Sequence, residues 1–104
     1  MPNDEQLEQR IQELRLNAPR VNLNHIENLI VGETYTLLPS GKVMVCELTL
    51  VNGFTVRGEA AVVSRANFSQ EIGERVSRER AVAEIWQLEG YLLQQKLYDQ
   101  AKSE

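Results

Sequence analysis

The sequence predicts an α+β fold: a three-stranded antiparallel sheet, short N-terminal helices and one long C-terminal helix, assembled as an oligomer. Two observations carry this prediction. The pair Asn52-Gly53 separates two β-rich runs, which is a strong short-range signal for a β-hairpin. Residues 67–98 then repeat apolar side chains at helical spacing. Because neither part can bury its apolar surface alone, the helix and the hairpin are expected to pack together.

Length and composition fit a single domain. The chain has 104 residues, of which 42% are hydrophobic and 25% are charged, as in ordinary globular proteins. The predicted organisation is an N-terminal helix and connection over residues 1–18, a short helix over 22–31, the sheet over 33–63 and the long helix over 67–98.

Charge and hydropathy exclude several classes of partner. The formal net charge of −4 argues against a general binder of nucleic-acid polymers. Apolar runs fall short of the ~20 residues that span a bilayer, and the acidic, polar N-terminus is unlike a signal peptide. One cysteine permits no intramolecular disulfide. We therefore expect a protein of the bacterial cytoplasm that has neither membrane nor nucleic-acid polymer as partner.

The N-terminal residues predict two short helices. Residues 4–15 place Leu7, Ile11 and Leu14 on a thin apolar stripe, with Asn3 as the N-cap. Pro19 is expected to break this helix. The second helix fits residues 23–31, because Ile26, Leu29 and Ile30 would face inward. Its cap would be Asn22 or Asn24, and Gly32 would stop it.

Three strands are predicted over residues 34–38, 43–51 and 54–63, with a Pro-Ser-Gly turn after the first. A two-residue type I′ turn at Asn52-Gly53 places Val51 opposite Phe54 and Leu48 opposite Arg57. In that register both faces of the hairpin are substantially apolar. Either helices cover both faces or a second subunit covers one of them, and the small size of the chain favours the second subunit.

The long helix is expected to begin at Asn67 as N-cap, with Gln70 in a capping-box position. It carries two adjacent apolar stripes, made of Ile72, Val76, Ala83, Trp86, Leu93 and Leu97 and of Ile85, Leu88 and Leu92. Together they are wider than one sheet face requires, which again favours an oligomer. Gly73 and Gly90 lie inside the helix and indicate close approach by a backbone, a ligand or an aromatic ring.

Catalytic and metal-binding patterns are weak. His25 is the only histidine, and no second His or cysteine stands near it as a metal site needs. Cys46 lies among aliphatic residues and fits a small buried hydrophobe. The glycines are scattered, so they form no phosphate loop. We therefore expect no enzyme, no metal and no cofactor.

Basic and aromatic side chains around the hairpin and the start of the long helix form the candidate ligand site: Arg57, Asn67, Phe68, Arg75, Arg78 and Arg80. Arginines bind phosphate in bidentate fashion, and an aromatic ring can stack on a base. The alternative is a solvated helix face, because Glu71 and Glu74 stand four residues before Arg75 and Arg78. Phe68 could equally be a core residue. The residues alone leave both readings open.

Three motifs give the chain a family resemblance: NGFTVRGE at residues 52–59, NFSQEIG at 67–73 and IWQLEGYLL at 85–93. In combination they resemble a family of small tailed-phage and prophage proteins, over about residues 19–97. The chain is also similar in character to the phage anti-Thoeris sponges, small α+β proteins assembled as dimers and hexamers.

The resemblance implies a function against the host. Sponges of this type sequester cyclic ADP-ribose-type immune signals without cleaving them, and some hold cyclic oligonucleotides. The implied protein is a homo-oligomer, dimer or hexamer, in the host bacterial cytoplasm, with a small anionic nucleotide as its ligand. The alternative is a phage accessory module that inhibits a host protein through an apolar surface.

Overall fold

The computed structural model describes residues 4–13 and 18–103. Within these residues, three helices, three strands and one turn of 3₁₀-helix follow one another as α1 (Asp4–Glu13), α2 (Leu23–Leu29), β1 (Ile30–Leu37), β2 (Val43–Leu50), β3 (Thr55–Ala61), the 3₁₀ turn (Arg65–Asn67) and α3 (Gln70–Lys102). The sheet is antiparallel in the order β1-β2-β3. The predicted α+β class, with its three-stranded sheet and long C-terminal helix, is confirmed, whereas the oligomer stays a prediction.

One face of the sheet packs against α3 and forms the core. β2 alternates half-buried and buried residues along its whole length, as a strand with one covered face does. The core cluster joins the inner side chains of β2 and β3 to α2 and α3: Ile26, Cys46, Leu48, Leu50, Val56, Ala81, Val82 and Ile85. Ile26 is fully buried, so α2 closes one end of this core.

The hairpin turn is one residue longer than predicted. The backbone N–H of Leu50 donates to the Phe54 carbonyl, and that of Gly53 donates to the Leu50 carbonyl, both at 2.8 Å. The connection is therefore three residues long, with Gly53 in the left-handed region at φ 90°. The predicted two-residue register is wrong: Leu48 faces Val56 rather than Arg57.

This shift moves the side chains of β3 to the opposite face, because neighbouring strand residues alternate sides. Val56 and Ala60 are buried under α3. Arg57 and Glu59 share the other face with Glu47 and with half-buried Val43 and Val45. The expectation of two apolar hairpin faces is therefore wrong: the open face of the sheet is of mixed polarity.

Several boundaries also differ from prediction. β1 begins at Ile30, so the predicted short helix ends at Leu29, and Gly32 lies inside a strand rather than stopping a helix. Of the two predicted caps, Asn22 is the one that caps α2, accepting a hydrogen bond from the His25 N–H at 2.9 Å. Of the α1 residues, the side chains of Ile11 and Leu14 and the Asn3 cap lie outside the described residues.

The N-cap of α3 was predicted two residues too early. Asn67 ends the 3₁₀ turn, Phe68 is extended, and Ser69 is the N-cap, accepting from the Ile72 N–H at 3.4 Å. The hydroxyl of Ser69 thus takes the capping role that the sequence assigned to Asn67. The helix also runs on to Lys102, beyond the predicted end at residue 98.

Small residues form the N-terminal part of the contact stripe of α3, and Ile85 of the predicted stripes continues it. Gly73, Ser77 and Ala81 are buried, whereas Ile72 is 62% exposed. Against them lies Gly58 of β3, where an added Cβ would stand 2.3 Å from the Ser77 carbonyl oxygen and 2.3 Å from the Ala81 backbone nitrogen. The backbones of helix and strand therefore touch at Gly58, and no other residue type fits there.

Gly58→Ala should destabilise the protein strongly, by about 3 kcal/mol or more, because the helix must move off the sheet to admit a methyl group. Thermal or urea unfolding measures the effect. Gly90 is the matched control, since nothing lies within 4 Å of a Cβ added there. Gly90→Ala should stabilise α3 by about 0.5–1 kcal/mol. Equal effects of the two substitutions would contradict the close contact.

Candidate ligand pocket and charge network

Three of the six predicted ligand residues come together at one cavity. Asn67, Phe68 and Arg80 line a space of about 120 Å³ between the end of β3 and the first turns of α3. Residues 60–62 form its strand side, and Ile72, Gly73 and Val76 form its helix side. We call this cavity the Phe68 pocket.

The extended backbone at Phe68 turns its ring back onto the helix that follows. The ring carbons lie 3.1 and 3.2 Å from where a Cβ on Gly73 would stand. Of the three groups expected to approach a glycine inside the helix, an aromatic ring is therefore the one found at Gly73. Phe68 itself stays half-buried, so part of its surface remains accessible from the pocket.

Arg80 supplies the positive charge of the Phe68 pocket. Its Nη1 donates to the backbone carbonyl of Glu59 at 2.6 Å, which holds the guanidinium beside the end of β3. A guanidinium carries five N–H donors in a planar fork, so one hydrogen bond to a carbonyl leaves capacity for an anion. The pocket thus combines a cation, an aromatic face and the Asn67 amide.

The other three predicted residues lie elsewhere. Arg57 is on the open face of the sheet, 3.7 Å from Glu47. Arg75 projects from α3 with its side chain 80% exposed and pairs loosely with Glu79 at 3.6 Å. Such exposed pairs contribute little stability. The structure therefore separates Arg57 and Arg75 from the Phe68 pocket.

Arg78 forms ion pairs with two carboxylates. Its Nε donates to Glu33 at 2.8 Å and its Nη2 donates to Glu27 at 3.1 Å. Glu33 also accepts from the Tyr35 hydroxyl at 2.7 Å. The hydrogen bonds to Glu27 raise the pKa of Arg78, and those from Arg78 and Tyr35 lower the pKa of Glu33. Arg78 therefore links α3 to α2 and β1, and its positive charge is balanced by these carboxylates rather than available for an anionic ligand.

A second, open cleft of about 320 Å³ lies over this network, lined by Glu27, Ile30, Val31, Gly32, Glu33 and Arg78. No pattern in the sequence predicted this cleft. Glu33 and Arg78 are far apart in the chain, and only the pairing of β1 with β2 under α3 brings them together. No local spacing could have revealed the contact.

The remaining candidates have structural partners. His25 Nε2 lies 2.7 Å from a Glu89 carboxylate oxygen, which links α2 to the middle of α3. Cys46 is fully buried, and that burial raises the pKa of its thiol, away from the reactive thiolate. Over residues 4–13 and 18–103, no cluster of three or more His, Cys, Asp or Glu side chains could hold a metal ion.

Fold and site together define a small α+β protein in which one long helix covers an antiparallel sheet and encloses a polar-aromatic pocket beside it. The chain belongs to the phage protein (N4 Gp49/phage Sf6 gene 66) family, whose model matches residues 21–97. The predicted kinship with small phage proteins is thereby confirmed.

Comparison with curated proteins and with solved structures gives no match. Within the part of the chain that the structure describes, none of the helices has the length and apolar character needed to cross a membrane.

Acidification should weaken the Arg78 network. Because the folded pKa of Glu33 is depressed, its stabilising contribution is present above the unfolded pKa and is lost as the pH falls through the folded pKa. Glu33→Gln should therefore lower the stability at pH 7 by up to about 1 kcal/mol, since the pair is partly exposed. The variant should also lose less stability than the wild type between pH 7 and about pH 3.

Chemical unfolding at a series of pH values checks this expectation. Glu79→Gln is the control, because it removes only the longer and more exposed pair with Arg75. If the stability of Glu33→Gln and that of the wild type fell in parallel over the acidic range, ionisation of Glu33 would not contribute to the acid sensitivity of the fold.

Proposed function

We propose that the protein is a phage counter-defence protein that binds a small anionic nucleotide and withholds it from a host effector. The ligand would be a cyclic nucleotide immune signal, of the cyclic ADP-ribose or cyclic oligonucleotide type, and it would be held without being cleaved. The observation that supports this proposal is the Phe68 pocket, where Asn67, Phe68 and Arg80 meet in an otherwise acidic protein.

Each lining group has a place in nucleotide binding. The Arg80 fork matches two phosphate oxygens, and the Phe68 ring offers a face on which a base can stack. The Asn67 amide can both donate to and accept from a base edge. Because the net charge of the protein is −4, attraction of an anion must come from this local group rather than from the whole surface.

The size of the pocket limits what enters it. Sites for whole small molecules usually measure about 300–1,000 Å³, and the Phe68 pocket has about 120 Å³. One phosphate or one base would occupy the cavity, and the rest of the nucleotide would lie on the surface beside it. Binding alone is proposed because the pocket lining contains no carboxylate, histidine or other base that could activate a nucleophile, and its one hydroxyl, that of Ser69, caps α3.

A second candidate is a module that inhibits a host protein through an apolar surface. Three exposed apolar residues favour it: Val31, Val51 and Phe54, at 63%, 60% and 54% exposure, at or beside the hairpin end of the sheet. The backbone N–H of Val51 donates to the Leu29 carbonyl at 2.9 Å, so the hairpin tip lies beside the start of β1. This surface replaces the apolar sheet face that the sequence had suggested.

The two candidates differ in their response to nucleotides. A ligand that binds only the folded state raises the melting temperature. Thermal-shift measurements with cyclic ADP-ribose isomers and with cyclic di- and trinucleotides should therefore reveal stabilisation by at least one compound. Ligand released by denaturation should be chromatographically intact. A cleaved product would indicate an enzyme, and no stabilisation by any compound would favour the protein-inhibiting module.

Arg80→Ala should weaken nucleotide binding roughly ten- to a hundred-fold, the effect of losing a charge-assisted hydrogen bond. Arg80→Lys should restore little, because an ammonium cannot make the bidentate contact. Arg75→Ala is the charge-matched control, since Arg75 is exposed and outside the pocket. Isothermal titration measures all three variants, and equal losses for Arg75→Ala and Arg80→Ala would remove the Phe68 pocket as the binding site.

A further inference from the structure

The C-terminal half of α3 carries a row of exposed residues with the spacing of a coiled coil. Intervals of four and three residues alternate along Glu84, Leu88, Tyr91, Gln95, Tyr98 and Lys102, and all six are exposed. Its apolar members Leu88, Tyr91 and Tyr98 are 42%, 73% and 55% exposed, respectively. We call these six residues the heptad row.

The heptad row lies away from the side of α3 that faces its own domain. Glu89, Leu93 and Leu97 are half-buried, and Glu89 contacts His25 of α2. At ~100° per residue these positions lie on a different side of the helix from the row. The row is therefore presented outward along about 27 Å of helix.

The heptad row is complementary to itself. A two-fold axis near Leu93, perpendicular to the helix, would bring Leu88 opposite Tyr98 of a second copy and Tyr91 opposite Gln95 of that copy. The same rotation would bring Glu84 opposite Lys102, so the two ends of the row would form ion pairs. A parallel arrangement would instead oppose Glu84 to Glu84 and Lys102 to Lys102, which like charges disfavour.

We propose that α3 pairs in antiparallel fashion with α3 of a second copy of this chain, through the heptad row. The self-complementary order of its charges identifies the occupant as a copy of the same chain, because a two-fold interface must match a surface to itself. The Lys102 side chain already lies along the row, with its Nζ 5.4 Å from the centre of the Tyr98 ring. This pairing does not depend on the nucleotide proposal.

Charge reversal tests the register of the pair. Sedimentation of the full chain, at concentrations on the order of 100 µM, should show a dimer. Glu84→Lys and Lys102→Glu should each weaken dimerisation roughly tenfold, because two-fold symmetry places two like-charge pairs in every dimer. The double variant Glu84→Lys/Lys102→Glu should recover wild-type dimerisation.

A matched control separates register from total charge. Ala83 is exposed and adjacent to Glu84 but lies off the row, so Ala83→Lys should leave dimerisation unchanged. A monomeric wild type would overturn the proposal, as would a double variant that dimerises no better than the single variants.

Cross-linking tests the direction. The variant Tyr91→Cys/Gln95→Cys should form disulfide-linked dimers on oxidation, whereas either single variant should not, because only residues 91 and 95 of opposite copies come within disulfide distance. Buried Cys46 does not interfere. Efficient cross-linking of each single variant would show parallel helices and would overturn the antiparallel arrangement.

Discussion

The contact between Gly58 and the backbone of α3 at Ser77 and Ala81 sets the distance between helix and sheet, and this distance governs the packing of the core and the reach of the α3 side chains. At this separation small residues of α3 fill the space, while Leu48 and Ile85 close the core on either side. The two arginines of the same helix segment are placed by this contact as well. Arg78 reaches β1 and α2, and Arg80 reaches the end of β3. Packing of the smallest residues therefore fixes the position of the largest charged ones.

Much of the fold follows from the sequence, and its errors share one cause. The Asn-Gly pair correctly located the hairpin, yet whether one or two loop residues precede Gly53 depends on how β1 and α3 pack on the strands. The difference of one residue exchanged the two faces of β3 and removed the argument for a second apolar sheet face. Likewise, large apolar residues suggested the whole contact stripe of α3; Ile85 belongs to it, but beside Gly58 the contact is made by small residues. Register and separation are tertiary properties, which local patterns do not encode.

The candidate site likewise has some features that local sequence patterns predict and others that depend on tertiary contacts. Asn67 and Phe68 are neighbours in the chain, and Arg80 lies three helical turns beyond them on a compatible side, so the sequence could bring these three together. Arg78 looked equivalent in sequence but is paired with Glu27 and Glu33, residues of α2 and β1. Because these partners lie far from Arg78 in the chain, a local sequence pattern does not reveal them. The charge of an arginine is visible in a sequence, whereas its neutralisation by distant carboxylates is not.

The hydrogen bond from Arg80 to Glu59 also bears on the solubility of the sheet. Even-numbered residues of β3 bond to β2, as the Leu50–Phe54 pair shows, so the carbonyl of Glu59 points outward from the edge of the sheet, where β3 has no further strand beside it in the described part of the chain. An open strand edge is a template on which other chains can add and aggregate. Arg80 occupies one acceptor on that edge and places a positive charge beside it. Arg80, which lines the Phe68 pocket, is therefore also expected to hinder the addition of another strand to this edge of the sheet.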